Sequence, residues 1–271
     1  MNLEHELAVA LAAAERAGQF IRTEYESFTP IPNAPATIST HVDKGSQDLI
    51  MKFLHEKFPH DGLCGEEDTG TPKAAAADLP TRVWVVDPID GTRGFAMKNG
   101  EFSAMIGLTI NREVVLGVVL EPTTMKYTYA TKGGGCWTKV GEAGTPTRCS
   151  VRPTTNPDEV VLVQSRPGKK DSPTAVQKAL QPAKTLEMYS AGVKLAVVAR
   201  GEADVYVNTY GVFRDWDICA GHVLVTEAGG VVTGFGGEAI TYGAEAFAQK
   251  LGLVAGGPGI HAAVVEKLKA V

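Results

Sequence analysis

Asp87 and Asp90 stand three residues apart in Trp-Val-Val-Asp-Pro-Ile-Asp-Gly-Thr (84–92), at the end of the apolar run Val83 to Val86. Such a run reads as a buried strand that delivers Asp87 at its carboxyl end, where sites in layered α/β proteins gather. Pro88 has no N–H to give to a sheet ladder, so the strand is expected to stop there. The turn that follows brings Asp90 round to the space Asp87 faces. Two carboxylates that close repel unless a cation lies between them, and their hard oxygens suit Mg²⁺ rather than zinc. Gly91-Thr92 then opens a short helix, whose first amides can hold a phosphate oxygen. Acids and amides together make a floor for phosphoryl transfer. The plain alternative is a solvated β-turn, since Asp and Gly both suit turns.

Further acids lie elsewhere in the chain. Gly65-Glu66-Glu67-Asp68 reads by itself as a surface loop, and Asp217, after Trp216, as the cap of a helix. Asp43 in Ser-Thr-His-Val-Asp has the same ordinary reading, a cap before a helix over Gly45 to Lys57.

The elements that must position these residues follow from periodicity. Leu3, Leu7, Ala10, Leu11, Ala14, Gly18, Ile21 and Tyr25 recur at helical spacing. A second helix carries Leu49, Ile50, Phe53 and Leu54 and ends at Pro59. Ala104 to Ile110 and Val114 to Leu120 flank Asn111-Arg112 and read as a hairpin, followed by strands at Tyr127 to Thr131 and Cys136 to Val140. The first half is thus two helices followed by an antiparallel sheet. Beyond residue 150 the pattern alternates: a strand at Val160 to Gln164, a helix started by Asp171-Ser172-Pro173, a helix at Ala191 to Arg200 and a strand at Asp204 to Val207. A helix at Asp217 to Ala228, closed by Gly229-Gly230, a strand at Leu251 to Ala255 and a helix at Ile260 to Lys269 complete it. The expectation is an N-terminal α+β domain over 1–150 and a C-terminal α/β domain over 151–271.

Composition narrows the class. The 271 residues are 44% apolar and 21% charged, which is ordinary for a globular chain, and the net charge of -5 argues against a broad nucleic-acid surface. The four cysteines, Cys64, Cys136, Cys149 and Cys219, form no C-x-x-C pair and read as reduced, mostly buried thiols. No stretch approaches the roughly 20 apolar residues of a membrane span, and the acidic start lacks the features of a signal peptide. A cytoplasmic location is the expectation. His222 reads as a packing residue.

Taken jointly, Gly-Glu-Glu-Asp at 65–68, Trp-Val-Val-Asp-Pro-Ile-Asp-Gly-Thr at 84–92 and Trp-Asp-Ile-Cys-Ala-Gly at 216–221 resemble the inositol monophosphatase superfamily of Mg²⁺-dependent, lithium-sensitive phosphatases. Order and spacing agree over nearly the whole chain. The resemblance implies a layered αβαβα sandwich of the α+β class. It implies that Glu66, Asp87, the carbonyl of Ile89, Asp90 and Asp217 hold two or three Mg²⁺, with Asp87 as the bridge and Glu67 behind Glu66. Thr92, paired with Asp43, would position and help deprotonate the attacking water, and the amides of Gly91 and Thr92 would hold the phosphate of a small-molecule ester. Family members are monomers or homodimers; neither a nucleic-acid polymer nor a membrane is an expected partner.

Within the family, three features are similar to the branch that hydrolyses 3'-phosphoadenosine 5'-phosphate: Arg93-Gly94-Phe95 after the acidic motif, Asp43 to Gln47, and Ser165-Arg166. Lys194 matches a lysine near that branch's substrate, and Arg166, Lys169, Lys170 and Lys194 are available to neutralise a second phosphate. Pro167-Gly168 and Asn208 depart from the branch pattern, where a Ser-His and an arginine are usual, but Asn208 is still expected among the substrate-binding residues, with Gly91, Thr92, Ser165, Arg166 and Lys194. A phosphatase for inositol, histidinol or sugar phosphates is the alternative, and a non-catalytic scaffold that binds metal and phosphate is the other.

Overall fold

A computed structural model describes residues 2–166, 172–211, 213–269 and 271. Lys169 and Lys170, singled out above, lie outside the described residues, as do Pro167, Gly168 and Asp171. In chain order the elements are α1 (Glu4–Ser27), α2 (His41–Lys57), β1 (Gly62–Gly65), β2 (Arg82–Asp90), α3 (Thr92–Ala96), β3 (Ser103–Ile110), β4 (Glu113–Glu121), β5 (Lys126–Thr131), β6 (Gly135–Val140) and β7 (Thr147–Arg148). Then follow β8 (Val161–Ser165), α4 (Ala175–Leu180), β9 (Lys184–Met188), α5 (Ala191–Ala199), β10 (Val205–Asn208), β11 (Phe213–Arg214), α6 (Asp215–Glu227), β12 (Val231–Thr233), β13 (Ala248–Gln249), β14 (Leu253–Gly256) and α7 (Pro258–Leu268).

The strands build a seven-stranded sheet in the order β1-β2-β3-β4-β5-β6-β7 and a five-stranded sheet in the order β12-β14-β10-β8-β9. The first is antiparallel except for the parallel pair β1–β2. In the second, β8, β9 and β10 are parallel and β14 runs against its neighbours. Helices α1 and α2 cover one face of the large sheet; α5 and α6 lie between the two sheets; α4 and α7 close the far side. The result is the expected αβαβα layering, with apolar residues packed between the layers in three core clusters.

Local chemistry accounts for the departures from the sequence reading. β2 does not stop at Pro88: it runs to Asp90, and its register against β3 shifts between Asp87 and Asp90. The residue without an N–H falls in that irregularity, where no ladder bond is forfeited. α2 starts at His41, four residues ahead of Gly45, because Thr40 and Asp43 form a capping box. α4 starts late, after Thr174, whose box with Gln177 takes over from the expected start at Ser172-Pro173. β7, β11, β12 and β13 carry too few residues to show a period.

All four cysteines are free and buried. His222 Nδ1 lies 2.8 Å from the Tyr242 hydroxyl, and burial pushes its pKa down to about 4, so it is a neutral packing residue. Among the described residues no helix is long and apolar enough to cross a membrane.

Candidate active site

The bulge at the end of β2 places Asp87 and Asp90 side by side, and the first turn of α6 brings Asp217 to them. One carboxylate oxygen of each lies within 4.8 Å of the others. All three line a cleft of about 580 Å³ together with Glu66, Ile89, Gly91, Thr92, Arg93, Ser165, Arg166, Tyr189 and Tyr210. Asp87 is 1% exposed and Asp90 7%.

Each acid is held by one oxygen. Ile89 N–H donates to Asp87 Oδ1 at 3.1 Å, Arg214 N–H to Asp217 Oδ2 at 2.6 Å, and Gly192 N–H to Asp90 Oδ2 at 2.6 Å. The Ser190 hydroxyl also donates to Asp90 Oδ2 and lies 3.0 Å from the Ser103 hydroxyl. The start of α5 therefore fixes Asp90 from a point 100 residues away in sequence. Glu66 is placed indirectly: the Gln47 side chain clamps the backbone of the next residue, accepting from Glu67 N–H at 2.8 Å and donating to Glu67 O at 2.6 Å. Gly91 is required where the acids turn into α3. Its φ of +84° is left-handed, and a Cβ there would come within 2.9 Å of Glu101 O and 3.1 Å of the Ser190 backbone.

Burial, reinforced at Glu66, Asp87 and Asp217 by neighbouring carboxylates, raises the proton affinity of the cluster. Burial, then repulsion from Asp217, Glu67, Asp43 and Asp90, pushes Glu66 up to about 8. Burial, opposed by the Arg214 amide and reinforced by Asp90, pushes Asp217 up to about 7. Asp87 is raised well above the usual carboxylate range by burial and then by Glu66 and Asp90. Asp90 is raised by burial although Ser190 and Gly192 oppose it. Carboxylates in such a state are strong ligands for a hard divalent cation: each aspartate retains an oxygen unbonded among the described residues, and a cation would relieve the repulsion. The donor set fits the metal that the sequence implies.

Asp43 joins the two readings open in the sequence. It is 0% exposed. Its Oδ2 accepts from Thr40 N–H at 2.8 Å and from the Thr40 hydroxyl at 2.6 Å, which makes it a helix-start residue. Its Oδ1 accepts from the Thr92 hydroxyl at 2.8 Å, and burial, opposed by Thr40 and Thr92, raises its pKa. Thr92 Oγ1 is also 2.9 Å from Ile89 O.

The residues assigned to substrate divide. Ser165, Arg166, Gly91 and Thr92 reach the cleft; Lys194 and Asn208 stand behind its wall. Lys194 is 1% exposed, donates to Ser165 Oγ at 2.9 Å and to the carbonyls of Met188 and Tyr189 at 3.3 Å, and burial lowers its pKa to about 8. Asn208 accepts from Tyr210 N–H at 2.7 Å and approaches the Tyr206 hydroxyl at 3.3 Å. Sequence reasoning missed Ser190, Gly192 and Tyr189. The Ser-Ala-Gly start of α5 was the available signal for the first two, as a Ser cap before a helix, but nothing local pointed it at Asp90.

The inositol monophosphatase family model matches residues 2–271. An inositol monophosphatase of Mesembryanthemum crystallinum is 32% identical over 239 residues, covering 83% of this chain and 84% of that protein. A 3'(2'),5'-bisphosphate nucleotidase, CysQ, of Salmonella typhimurium is 31% identical over 232 residues, covering 84% and 90%. In three dimensions the inositol monophosphatase of Anabaena aligns with a TM-score of 0.79 at 24% identity, covering 100% of this chain and 98% of that one. With its acids converged beside the Asp43–Thr92 pair, the chain belongs to the inositol monophosphatase family and is a metal-dependent phosphoric monoester hydrolase.

Proposed function

We propose that this protein is a Mg²⁺-dependent 3'(2'),5'-bisphosphate nucleotidase that converts 3'-phosphoadenosine 5'-phosphate to AMP and phosphate. The observation that carries this reading is that Arg93, Arg166, Tyr189 and Tyr210 line the same cleft as the acids and bring cations and aromatic rings to it. A neutral polyol needs neither; a nucleotide with a second phosphate uses both. The relative from Salmonella typhimurium, named as such a nucleotidase, supports the same choice.

Glu66, Asp87, Asp90, Asp217 and the carbonyl of Ile89 would hold two or three Mg²⁺. Cations held there supply Lewis-acid chemistry, stabilising phosphoryl charge and lowering the pKa of water. The chain's own part is orientation and proton transfer. Thr92 Oγ1 donates to Asp43 Oδ1 and so turns a lone pair toward the cleft, where it takes a proton from the attacking water as its own passes to Asp43. The raised affinity of buried Asp43 for a proton suits it to that end of the relay. The amides of Gly91 and Thr92 face the ester's terminal oxygens. Lithium would inhibit by competing for a Mg²⁺ position at these carboxylates.

The test compares phosphate release from 3'-phosphoadenosine 5'-phosphate and from inositol 1-phosphate. A strong preference for the first is expected; equal, low turnover of both would remove the nucleotide reading. Preference for the second would favour an inositol or sugar phosphatase, the reading supported by the name of the Mesembryanthemum crystallinum relative. Calorimetry showing Mg²⁺ and phosphate binding with no ester hydrolysed would favour a scaffold.

A further inference from the structure

Hydrolysis at the acid cluster uses one phosphoryl group, and the cationic part of the same cleft is left over. The guanidinium carbons of Arg93 and Arg166 lie 5.3 Å and 5.5 Å from the centroid of the Tyr189 ring. One aromatic side chain thus gathers two positive charges at the cleft, where cation–π attraction holds them despite their mutual repulsion. Their circumstances differ. Arg166 is matched by Glu101, which takes Nε at 3.0 Å and Nη2 in a paired grip. Arg93 forms no ion pair among the described residues, and its Nε is buried with no hydrogen-bond partner among them. A charged donor left that way is costly unless an acceptor arrives.

Lys194, the cation that sequence reasoning puts on the substrate, has no donor to spare. Its three N–H bonds match three acceptors, Ser165 Oγ, Met188 O and Tyr189 O. It ties the end of β8 to the segment between β9 and α5, and so sets the positions of Ser165 and Tyr189 from behind.

We propose that Arg93 is the specificity-determining grip for a second anionic group of the substrate. Tyr189 is its platform, Arg166 the flanking cation, and Lys194 a positioning residue that does not touch substrate. The ligand class is a small ester carrying two anions on one scaffold, of which one is hydrolysed beside Asp90 and the other is kept. This assignment rests on the bisphosphate reading above, but its chemistry asks only for a second anion, whether the scaffold is a nucleoside, a sugar or a polyol.

The experiment measures kcat/KM for three pairs of esters with the full-length protein and Mg²⁺: 3'-phosphoadenosine 5'-phosphate against 3'-AMP, fructose 1,6-bisphosphate against fructose 1-phosphate, and inositol 1,4-bisphosphate against inositol 1-phosphate. The wild type is expected to favour the doubly charged member of at least one pair. Arg93→Gln should cut that preference by about 10–100-fold, the loss of one charge-assisted contact, mainly through KM, and Arg93→Lys should restore part of it. Binding of AMP, which keeps the second phosphate, should weaken in Arg93→Gln by calorimetry. An unchanged ratio, an equal loss on both members of a pair, or no preference in any pair overturns the proposal. A preference sensitive to Arg93→Gln on a sugar or inositol pair, with the adenosine pair inert, removes the nucleotide reading and keeps the Arg93 assignment. Melting temperature and Mg²⁺ affinity of each variant, matched to wild type, exclude a folding defect; if Arg93→Gln does not fold, the Arg93→Lys ratio alone decides.

Discussion

On the acidic side of the cleft Asp43, Asp87, Asp90 and Asp217 each have one oxygen fixed by a backbone amide, and the first three are buried. On the cationic side Arg166 is held by the half-buried carboxylate of Glu101 and by the Tyr189 ring, and Arg93 by the face of that same ring. Main-chain donors are tied to the fold and move only with it; side-chain partners can exchange. A floor built the first way suits a reaction whose geometry must not vary. A wall built the second way suits recognition, where partners are released and regained at each turnover.

The largest effects should come from breaking the floor. Asp87→Asn removes a charge from the centre of the cluster while keeping the Ile89 contact through its carbonyl oxygen. Turnover should drop by on the order of 10³-fold or more, since cation stabilisation of phosphoryl charge is worth several kcal/mol. Metal binding by calorimetry should weaken in parallel; activity near wild type would refute the assignment of Asp87 as a ligand. Thr92→Ala should cost about 10²-fold in kcat with Mg²⁺ affinity nearly kept. If metal affinity falls as far as kcat, Thr92 belongs to the architecture of the metal site rather than to the proton relay.

A middle-sized effect concerns stability. Glu66 and Asp217 have folded-state pKa values raised to about 8 and about 7, from ordinary values of 4.5 and 3.8. Between the ordinary and the raised values the folded chain binds protons that the unfolded chain has lost. Stability of the metal-free protein must therefore fall as pH rises through that window. A bound cation displaces those protons, so its stabilisation must grow over the same range. Melting curves in chelator should decline from about pH 5 to about pH 8, and Mg²⁺ should raise the midpoint more at the upper end. A chelated protein equally stable throughout would mean that burial and neighbouring charge do not raise these two acids in the folded chain.

Much of the floor was legible because strong local signals carry it. The apolar run into Asp87, the Asp-Gly-Thr turn and the long α1 each state their own geometry. Asp43 was legible as either a cap or a partner of Thr92, and it is both, since a carboxylate has two oxygens to give. What failed to show was depth and distance. Lys194 and Asn208 carry the right groups for a phosphate, but sequence does not say on which side of a wall a residue stands. Ser190 and Gly192 reach Asp90 only because α5 packs between the sheets, a fact of tertiary structure with no local trace. Strand ends misread at Pro88 show a related limit: a missing N–H ends a regular ladder, yet a bulge absorbs it.

The smallest expected effect lies on the cationic wall and asks whether its pairing is exchangeable. Glu101 and Arg166 keep 23% and 38% of their side-chain surface exposed, so their bond should contribute no more than about 1 kcal/mol to stability. Glu101→Gln retains a neutral acceptor for Arg166 and for the Asn99 amide that donates at 3.2 Å, but removes the competing charge. If Glu101 merely occupies Arg166 until an anion displaces it, the variant should bind a doubly charged ester more tightly, with KM lower by up to about fivefold for the same energy. If Glu101 instead holds Arg166 in its place over Tyr189, KM should rise. The sign of that small change, read beside an unaltered melting temperature, separates a wall that exchanges partners from one as fixed as the floor it faces.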